Sequence, residues 1–122
     1  MFWRKPPPVI RQFILRTAVV NHLGKCLRKH YNEYCQLSIH LAKRSDVKTE
    51  EALSDLLKVQ QLKTAFAHRL LDREYNELFT YMMDKRELWD SPEYFKAKEA
   101  LGAACRNLRA CKTTEPMKSD QS

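Results

Sequence analysis

His22, Cys26 and His30 are the residues whose types and spacing come closest to a metal site. They are four residues apart, so on a helix they lie on a shared face with about 40° of drift per turn. Imidazole and thiolate groups are ligands of zinc and of haem iron. The alternative is that Cys26 is a small apolar residue beside Leu27 and that the histidines belong to a basic surface. Because the three residues lack a fourth ligand on this face, we expect no metal and no cofactor.

The four cysteines do not form a recognisable binding or disulfide pattern. Cys26 and Cys35 are separated by eight residues, and Cys105 and Cys111 by five. Neither interval is a standard zinc spacing. We expect no secretory signal before them, since Arg11 and Arg16 interrupt the apolar stretch near the N-terminus. We therefore expect reduced cysteines with mostly structural roles.

The sequence contains no motif of a known catalytic site. A glycine-rich phosphate loop, an H-E-x-x-H pair and a G-x-S-x-G nucleophile turn are all missing. The acids Asp72, Glu74 and Glu77 alternate with Arg69 and Arg73. Such alternation is typical of a solvated helix face. We predict that the protein is not an enzyme.

Charge is distributed unevenly along the 122 residues, whose formal net charge is +7. Residues 1–44 contain nine Lys/Arg against the single acid Glu33, and residues 96–122 contain six against three acids. Residues 45–95 contain seven Lys/Arg and eleven acids, so the middle of the chain is acidic. This distribution favours docking into an assembly with mixed surfaces over a uniform nucleic-acid coat.

The basic first third supplies the candidate partner-binding residues. Its cations are interleaved with aromatic side chains, a combination that suits either an acidic protein surface or a phosphate backbone. The predicted residues are Trp3, Arg4, Lys5, Arg11, Arg16, Lys25, Arg28 and Lys29. We expect the partners to be protein subunits of a larger complex. RNA, as in a ribosomal or ribonucleoprotein component, is the alternative.

The N-terminus is similar in composition to a mitochondrial targeting segment. Arginines and apolar residues alternate there, and the first acid is Glu33. We therefore expect a mitochondrial protein on the matrix side, with a cytosolic or nuclear location as the alternative. The same basic segment allows peripheral membrane contact. A transmembrane segment is not expected, because no run of about 18 apolar residues occurs.

Helical periodicity predicts an all-α fold. We expect a single domain at 9–111, with helices at about 9–43, 49–88 and 92–111. An extended proline-rich lead is expected at 1–8 and a disordered tail at 112–122. Two helices of such length predict an elongated antiparallel hairpin, with the third helix folded back to form a three-helix bundle. Gly24 leaves open whether the first helix is continuous or broken.

Apolar stripes indicate which faces of the helices form the core. In the second helix we predict that Phe66 and Leu70 are core residues. The predicted stripe of the first helix is Phe13, Val20, Leu27, Tyr34 and Leu41, flanked by Leu23 and Leu37 with Tyr31 and Thr17 alongside. That of the second is Ala52/Leu53, Leu56, Val59, Leu62, Phe66, Leu70, Leu71, Tyr75, Leu78 and Met82. That of the third is Tyr94, Ala97, Leu101, Ala104/Cys105, Leu108 and Cys111.

These features together predict a non-catalytic helical protein-protein interaction protein. An accessory subunit or assembly factor of a mitochondrial complex agrees with the basic N-terminus, the long amphipathic helices and the missing catalytic motifs. An RNA-contacting component is the alternative.

Overall fold

The computed structural model describes residues 6–43 and 46–113 and contains three packed α-helices. They are α1 (Pro8–Ala42), α2 (Val47–Asp84) and α3 (Pro92–Ala110), with a short 3-10 helix (Arg86–Leu88) before α3. Each long helix contacts the other two, and the described residues contain no strand. The all-α, three-helix prediction is confirmed.

Local sequence signals set where the helices begin. Asp46 caps α2 by accepting a hydrogen bond from the main-chain N–H of Thr49 at 3.2 Å. Ser91 caps α3 by accepting from Tyr94 N at 3.2 Å, and Pro92 occupies the first turn. Both arrangements satisfy amides that have no partner within the helix. The start of each helix therefore depends on its own few residues.

The observed boundaries differ slightly from the predicted ones. Helix α1 begins at Pro8, preceded by Pro7 in an extended conformation with φ −55° and ψ 152°. Helix α2 starts two residues earlier than predicted and ends at Asp84, because Lys85 leaves the helical region with φ −117° and ψ 36°. The predicted lead and tail lie mostly outside the described residues, at 1–5 and 114–122.

The core lies where α1, the second half of α2 and α3 meet. Phe13 is fully buried, and its ring lies edge-on to Tyr81 at 5.0 Å and to Tyr94 at 5.7 Å between centroids. Such edge-to-face contacts stabilise a core beyond the area that they bury. Other apolar side chains that are at most 1% exposed include Val20, Leu27, Leu71, Leu78, Ala97 and Cys111.

Helix α1 passes through Gly24 without a break. Gly24 is buried, has no positive φ and lies in the middle of the helix. A glycine inside a helix costs roughly 1 kcal/mol relative to alanine. Here the missing side chain lets Asn107 of α3 approach the α1 backbone.

The predicted core face of α2 is wrong in the first half of that helix. Phe66 is 56% exposed, and Leu56, Val59 and Leu62 are at least half exposed. Leu70 is only partly buried. The described structure instead buries Gln60, Thr64 and Ala67 in this part of α2, whereas Leu71, Leu78 and Met82 of the predicted stripe are buried as expected.

Hydrogen bonds explain why polar residues occupy the buried face of α2. Gln60 Nε2 donates to the main-chain oxygen of His30 at 3.2 Å and to Glu33 Oε1 at 3.1 Å. The Thr64 hydroxyl donates to the main-chain oxygen of Gln60 at 2.8 Å. Buried polar groups that find partners avoid most of the desolvation penalty. The small Thr64 and Ala67 side chains are buried on the same half of α2.

Candidate partner-binding groove

A groove of about 680 Å³ lies between α1 and α3 and contains three of the predicted partner-binding residues. The cations come from α1 and are Lys25, Arg28 and Lys29, which lie within about one helical turn of one another and are exposed. The remaining described residues of the lining are Val20, Asn21, Gly24, Asn32, Glu33, Ala100, Ala103, Ala104 and Asn107.

Small residues form the floor of the groove. Ala100 and Ala104 of α3 are buried against α1, and Gly24 faces them from α1. A Cβ atom added at Gly24 would lie 3.0 Å from Asn107 Nδ2. Because both helices present little side-chain volume here, their backbones approach closely and the longer basic side chains are left at the rim.

One hydrogen bond across the groove positions a rim cation. Arg28 Nη2 donates to Asn107 Oδ1 at 2.7 Å, linking α1 to α3. A short, charge-assisted bond of this kind restricts the orientation of the guanidinium. The Arg28 guanidinium keeps further N–H donors beyond the one in this bond. The groove therefore holds an oriented guanidinium between two lysines.

The electrostatic balance of the groove is positive. Glu33 is the one acid among its described lining residues. Its carboxylate accepts a hydrogen bond from Gln60 and lies 3.8 Å from His30 Nδ1. Lys25 and Lys29 have no ion pair within the described residues and are exposed. The arrangement favours an acidic ligand, with apolar contacts from the alanine floor.

Two other predicted residues lie outside this groove. Arg16 packs over the Tyr81 ring, 5.0 Å from its centroid, and its Nη1 lies 3.7 Å from Glu77 Oε1. These contacts join α1 to α2, so Arg16 supports the fold. Arg11 is exposed near the start of α1. The predicted residues Trp3, Arg4 and Lys5 fall outside the described part of the chain.

The His22, Cys26 and His30 spacing does not assemble three ligands. Cys26 Sγ and His22 Nε2 are 3.5 Å apart on α1. His30 instead lies 3.3 Å from the Gln60 amide, through Nδ1. Within the described ranges, no three His, Cys, Asp or Glu side chains converge as a metal site would require. The metal hypothesis for these residues has no support in the geometry.

A second cluster joins α1 to the end of α3 around Cys111. All four cysteines are free thiols, and Cys111 is fully buried. Burial raises the pKa of the Cys111 thiol, Arg28 opposes this shift, and Cys35 adds to it. The pKa of Tyr31 is also raised, chiefly by its hydrogen bond to Cys35. The Cys111 thiol and the Tyr31 hydroxyl therefore stay protonated at neutral pH, and they act as packing and hydrogen-bonding groups.

The residues that α3 contributes to the groove were not predicted from the sequence. Asn107, Ala103 and Ala104 complete the site, but no charge or motif marks them as functional. The signal that was available is the run Gly102-Ala103-Ala104, which indicates close helix packing. It does not identify which helix packs there.

Comparisons with known proteins return no relative: no protein-family model, no curated protein and no solved structure matches this chain. None of the helices in the described ranges combines the length and apolar character needed to cross a membrane.

Proposed function

We propose that this protein is a non-catalytic accessory subunit or assembly factor of a mitochondrial multiprotein complex, and that it binds an acidic protein partner. The observation that carries the proposal is the groove between α1 and α3. The described lining of the groove contains three cations, Lys25, Arg28 and Lys29, and one acid, Glu33. The Glu33 carboxylate already accepts a hydrogen bond from Gln60. No catalytic motif accompanies these residues in the sequence.

The floor of the groove favours a protein partner over RNA. Proteins that bind single-stranded RNA usually stack the bases on aromatic rings. None of the described residues lining this groove is aromatic, and its floor contains Val20 and three alanines. An acidic segment that also carries small apolar side chains would match both the cations of the rim and the apolar floor.

The mitochondrial location rests on the N-terminal sequence and on the outer face of α1. Residues 1–32 contain no acid. Ile14 and Leu15 are half exposed beside the exposed Arg11. An exposed face with arginine and apolar residues suits recognition by an import receptor and contact with a membrane surface. We place the protein on the matrix side.

Charge reversal tests the groove. The full-length chain is tagged and expressed in cells, and its complexes are isolated at moderate salt with and without nuclease. Lys25→Glu/Lys29→Glu should lose the partner proteins. The matched control Lys58→Glu/Lys112→Glu has the same charge change at exposed positions outside the groove and should retain them.

Two outcomes would contradict the proposal. Loss of the partners on nuclease treatment of the unmodified chain would identify the RNA alternative, since a phosphate backbone would then carry the interaction. Equal binding by the groove variant and the control would show that the groove is not the contact. Circular dichroism of both variants confirms that the helices are intact.

Fluorescence microscopy tests the location. With a fluorescent protein fused to its C-terminus, the chain should co-localise with a mitochondrial marker. After rupture of the outer membrane it should remain protected from added protease, as a matrix protein would. The triple variant Arg4→Glu/Lys5→Glu/Arg11→Glu should remain outside the mitochondria, because import depends on positive charge near the N-terminus. Cytosolic or nuclear fluorescence of the unmodified chain would contradict this part of the proposal.

A further inference from the structure

An apolar row on the first half of α2 faces away from both other helices. Val59, Leu62 and Phe66 are 50%, 68% and 56% exposed. They are three and four residues apart, so they form a continuous line along one face. The buried face of this half of α2, with Thr64 and Leu71, lies about a third of a turn or more around the helix. Contiguous exposed apolar residues are typical of surfaces that bind another protein.

The charges at the two ends of this row have opposite signs. Asp55 lies seven residues before Leu62, and Arg69 lies seven residues after it. Glu51 and Arg73 lie eleven residues before and after Leu62. All four charged side chains are exposed. Residues seven or eleven apart share nearly the same face of an α-helix, so the charges continue the line of the apolar row.

We infer that α2 pairs with α2 of a second copy of this chain, antiparallel, about a two-fold axis at Leu62. This inference goes beyond the proposed function and does not depend on the groove between α1 and α3. In an isologous contact a surface must complement itself after rotation. Rotation about Leu62 brings Asp55 of one copy to Arg69 of the other, and each such contact occurs twice. Glu51 meets Arg73 in the same way.

The apolar centre matches this axis as well. Leu62 meets its own counterpart. Val59 and Phe66 lie three residues before and four residues after Leu62, so Val59 of one copy comes within one residue of the level of Phe66 of the other. Lys63 lies at the edge of the row, where its stem can cover apolar surface while the ammonium stays in water. Arg73 pairs with Glu74 at 3.2 Å, but its side chain is 66% exposed. A surface ion pair of this kind is weak, so Arg73 can leave Glu74 and pair with Glu51 of the second copy.

The antiparallel geometry gives a specific test with two charge variants. Asp55→Arg places like charges at both symmetric contacts of a homodimer, and so does Arg69→Asp. Each variant alone should therefore be a monomer at a concentration where the unmodified chain is a dimer. A mixture of the two variants restores an opposite-charge pair at both contacts, so the mixture should form a heterodimer.

Analytical ultracentrifugation of the full chain measures these states. The unmodified protein should show twice the 14.4 kDa chain mass at high concentration. Leu62→Glu should show the single-chain mass, because it places two carboxylates at the axis. The matched control Leu15→Glu changes an exposed leucine of α1, 56% exposed, and should remain dimeric. Circular dichroism and urea unfolding confirm that each variant is folded.

Three results would overturn the inference. The first is a single-chain mass for the unmodified protein at its highest soluble concentration. If Leu62→Glu then leaves stability unchanged, the row is left to a different protein, and if it destabilises the monomer, another segment of the same chain covers the row. The second is a dimer that persists in Leu62→Glu. The third is a dimer whose charge variants fail to associate on mixing, which would exclude the antiparallel register.

Discussion

Asn107 of α3 lies against the α1 backbone at Gly24, so closely that a Cβ atom on Gly24 would come within 3.0 Å of its Nδ2. The same Asn107 side chain accepts the 2.7 Å hydrogen bond from Arg28. Gly24 therefore leaves room for an amide that orients a cation of the groove. Helix propensity favours alanine at position 24, whereas packing against Asn107 favours glycine.

A double-mutant cycle tests the relationship between Gly24 and Asn107. In the unmodified chain, Gly24→Ala should change the free energy of unfolding little, because the gain in helix propensity is offset by displacement of the Asn107 amide. In an Asn107→Ala background the same substitution should stabilise the protein by about 1 kcal/mol. Urea unfolding measures all four proteins. Equal effects in both backgrounds would show that the two residues are not coupled.

The two faces of α2 should respond differently to truncation. Leu71 is fully buried, so Leu71→Ala should reduce the free energy of unfolding by about 2–5 kcal/mol. Phe66→Ala removes a side chain that is 56% exposed and should cost less than about 1 kcal/mol in the monomer. Both are measured by urea unfolding at low protein concentration. A larger loss for Phe66→Ala than for Leu71→Ala would contradict the observed orientation of α2.

Arg16 should behave as a structural residue. Arg16→Ala removes the contact with the Tyr81 ring and the ion pair with Glu77, and should cost about 1–2 kcal/mol of unfolding free energy. Arg11→Ala is the matched control, since Arg11 is exposed, and should change stability by less than about 0.5 kcal/mol. Thermal and urea unfolding measure the stability of both variants. Comparable losses for the two variants would mean that the α1–α2 contact of Arg16 is not formed.

Cys111 should give the protein a stability that declines at alkaline pH. Burial raises the pKa of its thiol in the folded state, so the unfolded thiol ionises first. Its contribution is fully present below the unfolded pKa and is lost as pH rises toward the folded pKa. The free energy of unfolding should therefore fall more steeply between about pH 8 and 10 for the unmodified chain than for Cys111→Ala.

Thiol labelling provides an independent check on the same residue. At mildly alkaline pH, Cys111 should react with a maleimide more slowly than Cys26, Cys35 and Cys105, which are partly exposed. In denaturant the four rates should converge. Fast labelling of Cys111 in the folded protein would show that the end of α3 opens readily.

The sequence alone determined the helical fold and most helix boundaries. Asp46, Ser91 and Pro92 act within a few residues of their own positions, so their effects can be inferred without tertiary structure. The stripes of α1 and α3 were also predictable, because their apolar residues recur at helical spacing along one face. Phe13, Val20, Leu27 and Tyr94 are buried as predicted.

Only the tertiary structure decided which face of α2 is buried. The first half of this helix has two candidate faces, and the more apolar one contains Phe66. The other is the buried face, where Gln60 finds hydrogen-bond acceptors on α1 at the main-chain oxygen of His30 and at Glu33. The small residues Thr64 and Ala67 are buried with it. Hydrophobicity along one helix cannot report a hydrogen-bond partner on another.

The groove between α1 and α3 was likewise predictable from the sequence only in part. The cations Lys25, Arg28 and Lys29 were apparent from the sequence because charge and spacing within one helix are local properties. The contribution of Asn107 was not, since it lies 79 residues from Arg28 and depends on how α3 crosses α1 at Gly24. Composition determined that a basic face exists on α1. The packing of two helices at a glycine and several alanines decided that this face borders a groove.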